Sequence, residues 1–563
     1  MLSEQSADDI IGLDAITMKR KDVFCVNFCY DVLNYKYPSR REVVYGRKGM
    51  VCTSQSLAAQ AGLDIIKAGG NAVDAALATA ACMIVLEPTS NGFGSDAFAQ
   101  VWMDGQLYGL NASGFSPALL TREVLTDKGY DQMPKFGWEP VTVPGAVSGW
   151  KKLHDRFGTL SWGQIFEPAI RYAEEGYVVT PVISKMWRQA WDDYEESLSP
   201  ELFEEWRKVF APDGHTPRAG EIWSSKAHAE TFRKLAATDC ESLYRGRLAD
   251  EIDRYSRATG GYLRKDDLAA YEAEWVQPVS TSYRGYDVWE IPPNGHGIVA
   301  LMALNIMECM QFAAGHDNED VVHRQLEAMK LAYSDGQQYI ADPRSMKVTT
   351  EQLLSKKYAG YRAANIGQRA AKPQYGDPAS GGTIYLCTAD GDGNMVSFIQ
   401  SNYCNFGSGI VVPNTGIALQ NRGFNFYMDP ESANCVGPHK KTYHTIIPGF
   451  LTKDGKAVGP FGVMGGFMQP QGHVQVMMNL IDFHMNPQEA LDAPRWQWTG
   501  GMNIEIEQGF PMDMAGKLKA RGHHVTVATD SMDFGRGQLI FRDDQGILIG
   551  ATEPRAGGAA AAW

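Results

Sequence analysis

Thr383 stands behind two glycines at the start of an apolar run, Gly381-Gly382-Thr383-Ile384-Tyr385-Leu386. That setting lets a threonine do chemistry. A hydroxyl is a weak nucleophile until a base takes its proton. If the bond before Thr383 is cut, its own α-amine becomes that base. An α-amine has a pKa of roughly 7.7–8.0, so a useful fraction is unprotonated at neutral pH. Glycines ahead of the cut let the loop strain, so that Thr383 attacks its own preceding carbonyl. The chemistry this setting would serve is amide hydrolysis by a nucleophile that the chain makes for itself; an ordinary loop-to-strand junction fits the same residues.

Three further stretches carry residues suited to the same chemistry. Gly465 and Gly466 close the run Gly462-Val463-Met464-Gly465-Gly466. Paired glycines after a strand expose backbone N–H groups, and such groups form oxyanion holes. Phe398-Ile399-Gln400-Ser401-Asn402-Tyr403 ends a strand with polar side chains, of which Ser401 is best placed to orient a hydroxyl. His444 and Thr445 precede an apolar strand within Tyr443-His444-Thr445-Ile446-Ile447-Pro448. Taken singly, each of these also fits a plain turn, a strand end or a structural histidine.

The elements that must hold these residues can be read from periodicity. Ser56 to Lys67 reads as a helix with Leu57, Ala61 and Ile65 on one face, closed by Gly69-Gly70-Asn71. Asp74 to Val85 reads as a buried helix, so rich is it in alanine. Ala97 to Met103 and Gln106 to Asn111 alternate around Asp104-Gly105, a hairpin signal. Helices dominate from Gly149 to Ala270. Val279 to Ile291 returns to strand, and Val321 to Ala341 is a long helix. Thr383 to Ala389 and Met395 to Ser401 bracket Asp390 to Asn394 as a second hairpin. Ile447 to Thr452 and Lys456 to Val463 form a third around Asp454-Gly455, and Gln471 to Phe483 is helical. Helices mixed with antiparallel strands predict an α+β layered fold. The first 40 or so residues read as an irregular lead-in, and Gly557 to Ala562 as an alanine-rich tail.

Composition narrows the class. The chain has 563 residues, 44% of them hydrophobic, and a net charge of −14. An acidic protein without long basic runs is not built around nucleic acid. Nine cysteines lack the paired spacing of a zinc site. The start is polar and acidic rather than a secretory signal. No run of about 18 apolar residues predicts a membrane span. A cytoplasmic protein acting on small molecules is expected, away from nucleic acid and membrane.

Together these stretches resemble the γ-glutamyltransferase family of N-terminal-nucleophile hydrolases. The resemblance is carried by Gly49 to Ser54, Gly69 to Ala76, Val141 to Val147, Asp392-Gly393-Asn394 and Phe406-Gly407-Ser408-Gly409. It implies a four-layer αββα sandwich, self-cleaved into a large subunit, 1–382, and a small one, 383–563. The two subunits form one composite domain, with a dimer of such heterodimers possible. It puts the nucleophile at Thr383, a second hydroxyl at Ser401 and the oxyanion glycines at Gly465 and Gly466. No metal or organic cofactor is implied.

The substrate-gripping positions depart from the family's. Asn111 to Pro117 has no arginine. Tyr403 replaces an asparagine, Arg422 and Asn425 fall on the Gln-x-x-Asp pair, and His444 and Thr445 replace paired serines. Losing the acid removes the counter-charge for a substrate ammonium, and Arg422 adds a fork suited to carboxylate. The pattern looks most like the branch with oxamate amidohydrolases and cephalosporin or glutaryl acylases. Bulky Tyr403 and Phe115 favour a small substrate. A γ-glutamyl transpeptidase and an uncut binding or structural homologue are the alternatives.

Overall fold

Asn71 shows how locally the helices are specified. Its side chain accepts from the backbone of Val73 and Asp74 at 2.8 and 3.0 Å, and Asp74 returns a bond to the Asn71 N–H. This reciprocal cap starts Ala72–Leu86, every residue of which is buried. Ser56–Lys67 packs beside it. That helix turns Leu57 outward and buries Ala58, Gly62 and Ile66 along with the expected Ala61 and Ile65.

The computed structural model describes residues 41–312, 315–373 and 382–563, plus two paired strands, Phe24–Cys25 and Cys29–Tyr30. Apart from that pair, the lead-in lies outside the described residues, as does Gly381. Arg40–Trp563 forms one compact unit, and Met1–Ser39 is a separate one.

Two seven-stranded sheets organise the larger unit. The first runs, in spatial order, Ala559–Ala562, Gly49–Thr53, Gly382–Asp390, Met395–Tyr403, Asp96–Met103, Gln106–Ala112 and Glu274–Val276. Ser56–Lys67 and Ala72–Leu86 pack on it. Ala72 is tied to the Thr383 strand directly: its N–H donates to Asp390 at 3.0 Å and its carbonyl accepts from the Thr388 hydroxyl at 2.7 Å.

The second sheet runs Val279–Tyr283, Tyr286–Glu290, Gly449–Lys453, Lys456–Met464, Arg536–Arg542, Leu548–Thr552 and Val44–Gly46. Gly297–Glu308 and Met468–Ile481 pack on it. The two sheets meet closely. A Cβ on Gly462 would lie 2.4 Å from the Tyr385 ring of the first sheet.

Three expectations need correction. Val279 to Ile291 is a hairpin and not one strand, because Arg284 and Gly285 adopt positive φ and turn the chain. The alanine-rich tail is the edge strand Ala559–Ala562, paired with Gly49–Thr53. The helix expected from Gln471 starts at Met468, since Pro470 sits in its first turn, where a missing N–H costs nothing. No helix among the described residues is long and apolar enough to cross a membrane.

Buried imidazoles add a pH dependence. The Lys330 ammonium is 3.4 Å from His523 Nδ1, His523 Nε2 is 2.9 Å from His323 Nδ1, and His323 Nε2 is 2.9 Å from the Gly367 carbonyl. An ammonium only donates and a carbonyl only accepts, so the chain of bonds fits two neutral rings. Burial pushes His523 and His228 down to about 3 and lowers His323, His296 and His444.

These folded values lie below the unfolded value of about 6.5, so the unfolded chain takes up protons first. Stability is therefore full above about pH 6.5 and drains as pH falls toward about 3. Asp96, raised by burial to about 6, opposes this between about pH 4 and 6 as a single group. Melting temperature should fall steadily below pH 6.5; a flat profile from pH 7 to 4 would contradict it. Gly462→Ala should cost about 1–3 kcal/mol by overpacking against Tyr385, measured by urea unfolding.

Candidate active site

The site begins with a slip in strand register. Gly382 faces Tyr403, but Ile384 faces Gln400. Thr383 therefore lies opposite two residues, Ser401 and Asn402. Such a bulge re-aims side chains at the end of a ladder. Here it sets Thr383 Oγ1 3.2 Å from Ser401 Oγ, with both residues fully buried.

Ser401 Oγ also accepts from the Tyr403 N–H at 2.8 Å and from Arg422 Nη2 at 3.2 Å. Tyr403 holds a φ of +82°, an uncommon conformation for a bulky residue. Three contacts hold it there: the bond to Ser401, a 2.7 Å bond from its hydroxyl to Asn425 Oδ1, and its ring 4.2 Å over the Arg422 guanidinium.

Arg422 is fully buried. Its Nη1 donates to Thr445 Oγ1 at 2.5 Å, and its Nε has no hydrogen-bond partner among the described residues. Burial lowers its pKa to about 10, with Tyr403 and Asp96 acting against that fall, so it is cationic at neutral pH. Asn425 donates to the Tyr443 carbonyl at 3.0 Å. With Phe424, Tyr443 and Phe467 it lines a cavity of about 290 Å³.

His444 sits otherwise than expected. Its Nε2 is 3.0 Å from Asp96 Oδ2, and its Nδ1 accepts from the Ile446 N–H at 3.4 Å. Both nitrogens are thus committed to the protein, and neither is turned to a substrate. Asp96 is the acid that the sequence reading left out of this region. Its Oδ1 accepts from Gly114 N at 3.0 Å, Gly145 N at 3.1 Å and Gln420 Nε2 at 2.7 Å. Burial raises its pKa to about 6, with Arg422 the strongest opposing influence. Burial also holds His444 well below its usual value, reinforced by Arg422, so a neutral ring donates to a carboxylate at neutral pH. Phe115 lies against Tyr271 and His439, while Phe424 is the aromatic neighbour of Tyr403.

The glycine pair leaves the second sheet with φ of +140° at Gly465 and +56° at Gly466, and a side chain at Gly465 would meet Gly535 at 3.1 Å. The two carbonyls enter the first turn of Met468–Ile481, on Met468 N and Gln469 N. Their N–H groups enter no turn or loop hydrogen bond among the described residues. The strand before them is braced by His473, whose Nε2 accepts from Val463 N at 3.1 Å and whose Nδ1 is 2.7 Å from Glu290. Gly465 lines a cavity of about 350 Å³ with Cys404, Asn405, Phe467 and Gln471.

Gln469 joins the glycine turn to the threonine, with Nε2 3.4 Å from Thr383 Oγ1. The helix read from the sequence begins at Gln471, which left Gln469 outside it. As for metals, His323, Glu327 and His523 come close enough to share an ion. The Lys330 ammonium already stands there, 2.7 Å from Glu327 Oε1.

With this geometry in view, similarity to known proteins becomes decisive. The sequence profile described as gamma-glutamyltranspeptidase matches residues 58–563. The chain belongs to that family. It is an N-terminal-nucleophile hydrolase of amide bonds, with the mixed α/β fold of the family's solved structures. The glutathione hydrolase-like YwrD proenzyme of Bacillus subtilis is 36% identical over 529 residues, covering 92% of this chain and 99% of that protein. The oxamate amidohydrolase proenzyme of Klebsiella pneumoniae is 34% identical, covering 92% and 98%. Among solved structures, the cephalosporin acylase from Bacillus halodurans shares 57% identity, with a TM-score of 0.92, covering 95% of this chain and 99% of that one.

Within the family frame, Ser401 is the common partner of Thr383, Arg422 and the Tyr403 backbone. Ser401→Ala strands two donors at once. Turnover should fall about 10- to 100-fold with the fold retained, read by steady-state kinetics beside a thermal melt.

Proposed function

We propose that the chain cuts itself before Thr383 and then hydrolyses a small amide whose acyl part carries a carboxylate, of the oxamate or glutaryl kind. The observation that carries this is the Thr383–Ser401 pair, 3.2 Å apart, where the start of one strand meets the end of its neighbour. A cut at that point puts an α-amine on the residue whose hydroxyl is already oriented. The products are a large subunit, 1–382, and a small one, 383–563. Two stacked sheets with helices against each support an αββα layering.

The cycle has two halves. Thr383 Oγ attacks the amide carbon while its own amine takes the hydroxyl proton. Gly465 and Gly466 N–H groups hold the oxyanion. The C–N bond breaks, and the leaving amine or ammonia departs with that proton. Water then attacks the ester, giving its proton to the same amine, and the acid leaves as Thr383 Oγ regains a hydrogen.

The substrate class follows from what fills the pocket. Where the family grips an amino-acid end, this chain sets Tyr403 over Arg422, bonds Asn425 to Tyr403 and backs His444 with Asp96. Little is left to receive an ammonium. Arg422 Nε has no partner among the described residues and lies in a buried site, which suits an anionic acyl group. The names of two relatives, an oxamate amidohydrolase and a cephalosporin acylase, agree with a non-amino-acid substrate.

Mass spectrometry of the purified protein, followed by an amide panel of oxamate, glutaryl amides and γ-glutamyl amides, tests the proposal. The wild type should show two chains and prefer oxamate or a glutaryl amide. Thr383→Ala should remain one chain and lose turnover by at least about a thousandfold. A Thr383→Ala protein that still splits and turns over, or a strong preference for γ-glutamyl anilides, sinks the proposal.

A further inference from the structure

We propose that Gln469 is a catalytic residue: its side-chain amide donates to Thr383 Oγ as that oxygen gains negative charge. The inference rests on Thr383 being the nucleophile and adds a donor for the attacking oxygen itself, distinct from those that hold the substrate's oxyanion.

The orientation of the amide is fixed by its other end. Ile447 N–H lies 3.0 Å from Gln469 Oε1, and a backbone N–H can only donate. Oε1 must therefore face Ile447, and Nε2 must face Thr383. The side chain is fully buried, so water does not compete for it. Its backbone is equally fixed. Gln469 N donates to Gly466 O at 3.2 Å, Met468 N donates to Gly465 O at 2.9 Å, and the Tyr333 hydroxyl donates to the Phe467 carbonyl. Pro470 follows with its φ already set for a helix. One short turn thus carries both the glycine N–H groups and a carboxamide aimed at the nucleophile. The N-terminal end of Met468–Ile481, where the helix dipole is positive, lies on the same side.

At 3.4 Å the Nε2–Oγ1 contact is long for a hydrogen bond to a neutral hydroxyl. That length matters for catalysis, because only a contact that strengthens in the transition state raises the rate. When the Thr383 amine takes the proton, Oγ carries alkoxide character and the N–H···O bond tightens. The same oxygen becomes negative again when the acyl-enzyme ester breaks and Oγ departs. Gln469 therefore serves both halves of the cycle, and also self-cleavage, which uses the same attacking oxygen.

The alternative is that Gln469 merely ties Ile447 to the helix. Two variants separate the cases, assayed on the amide of the panel that the wild type hydrolyses fastest. Gln469→Met keeps the bulk and removes the donor at every pH. Gln469→Glu keeps an acceptor for Ile447 and loses the donor while ionised, but a protonated carboxyl donates again. We expect kcat to fall about 10- to 100-fold in Gln469→Met, with KM within about threefold. Activity of Gln469→Glu, divided by that of the wild type at each pH, should rise as pH falls, while the same ratio for Gln469→Met stays level. If Gln469→Met does not fold by thermal melt, the Gln469→Glu ratio decides alone. Values of kcat within about twofold of wild type in both variants, or a Gln469→Glu ratio that does not change with pH, overturn the proposal. Turnover surviving in Thr383→Ala, or no turnover of any panel amide by the wild type, overturns instead the reading of the nucleophile on which it stands.

Discussion

Strand pairing across position 383 is the constraint on which the rest of this molecule depends. The strands Gly382–Asp390 and Met395–Tyr403 lie in the middle of the first sheet, with Gly49–Thr53 on one flank and Asp96–Met103 on the other. Segments from before and after Thr383 are thus interleaved within one hydrogen-bonded sheet. The register of the central ladder, and its one-residue slip, decides that Thr383 meets Ser401. The neighbouring ladder sets Ser401 opposite Asp96. Thr383, Ser401 and the buried Asp96 are three rungs of one sheet, and a sheet is stiff. The second sheet contributes the glycine turn and Gln469, delivered by the close contact of Gly462 with Tyr385.

The charges around Thr383 form a closed arrangement. Arg422 is the buried cation and Asp96 the buried anion, with the neutral His444 ring bonded to Asp96 and Thr445 bonded to Arg422. Neither charge faces water, so each must be met by the protein. Asp96 is met by four donors. Arg422 is met by two hydroxyls and an aromatic face, and its Nε has no partner among the described residues. A site whose electrostatics are already nearly settled accepts few additional charges, and this restricts the substrate more sharply than the shape of any single wall.

Much of this could be read before any coordinates. The helices Ser56–Lys67 and Ala72–Leu86 and the hairpins at Asp104, Asp390 and Asp454 follow from periodicity and turn residues, because those signals are local. What escaped reading was non-local or disguised. His444 and Asp96 are 348 residues apart, and nothing near either announces the other. Asp96 opens the strand Asp96–Met103, and its type and position there signal nothing of the buried ring it meets. Gln469 was missed because the helix read from Gln471 actually starts three residues earlier, at Met468. Arg284-Gly285 turned a strand back on itself without an Asn-Gly or Asp-Gly signal. Four alanines that looked like a tail became an edge strand because Gly49–Thr53 offered an open partner.

The alternation of early and late segments in one sheet also sets an order in time. A continuous chain finds its register by a unimolecular search, with the late strands tethered to the early ones. Were the peptide bond before Thr383 broken, as proposed, the tether would be gone. Two fragments that are melted apart must then find each other by diffusion, each with the exposed strand edges that favour clumping. A cut chain of this design would keep its form because it comes apart slowly rather than because it reassembles readily. Its folding instructions would then be spent in a single use, and its working life set by the height of the barrier to unfolding.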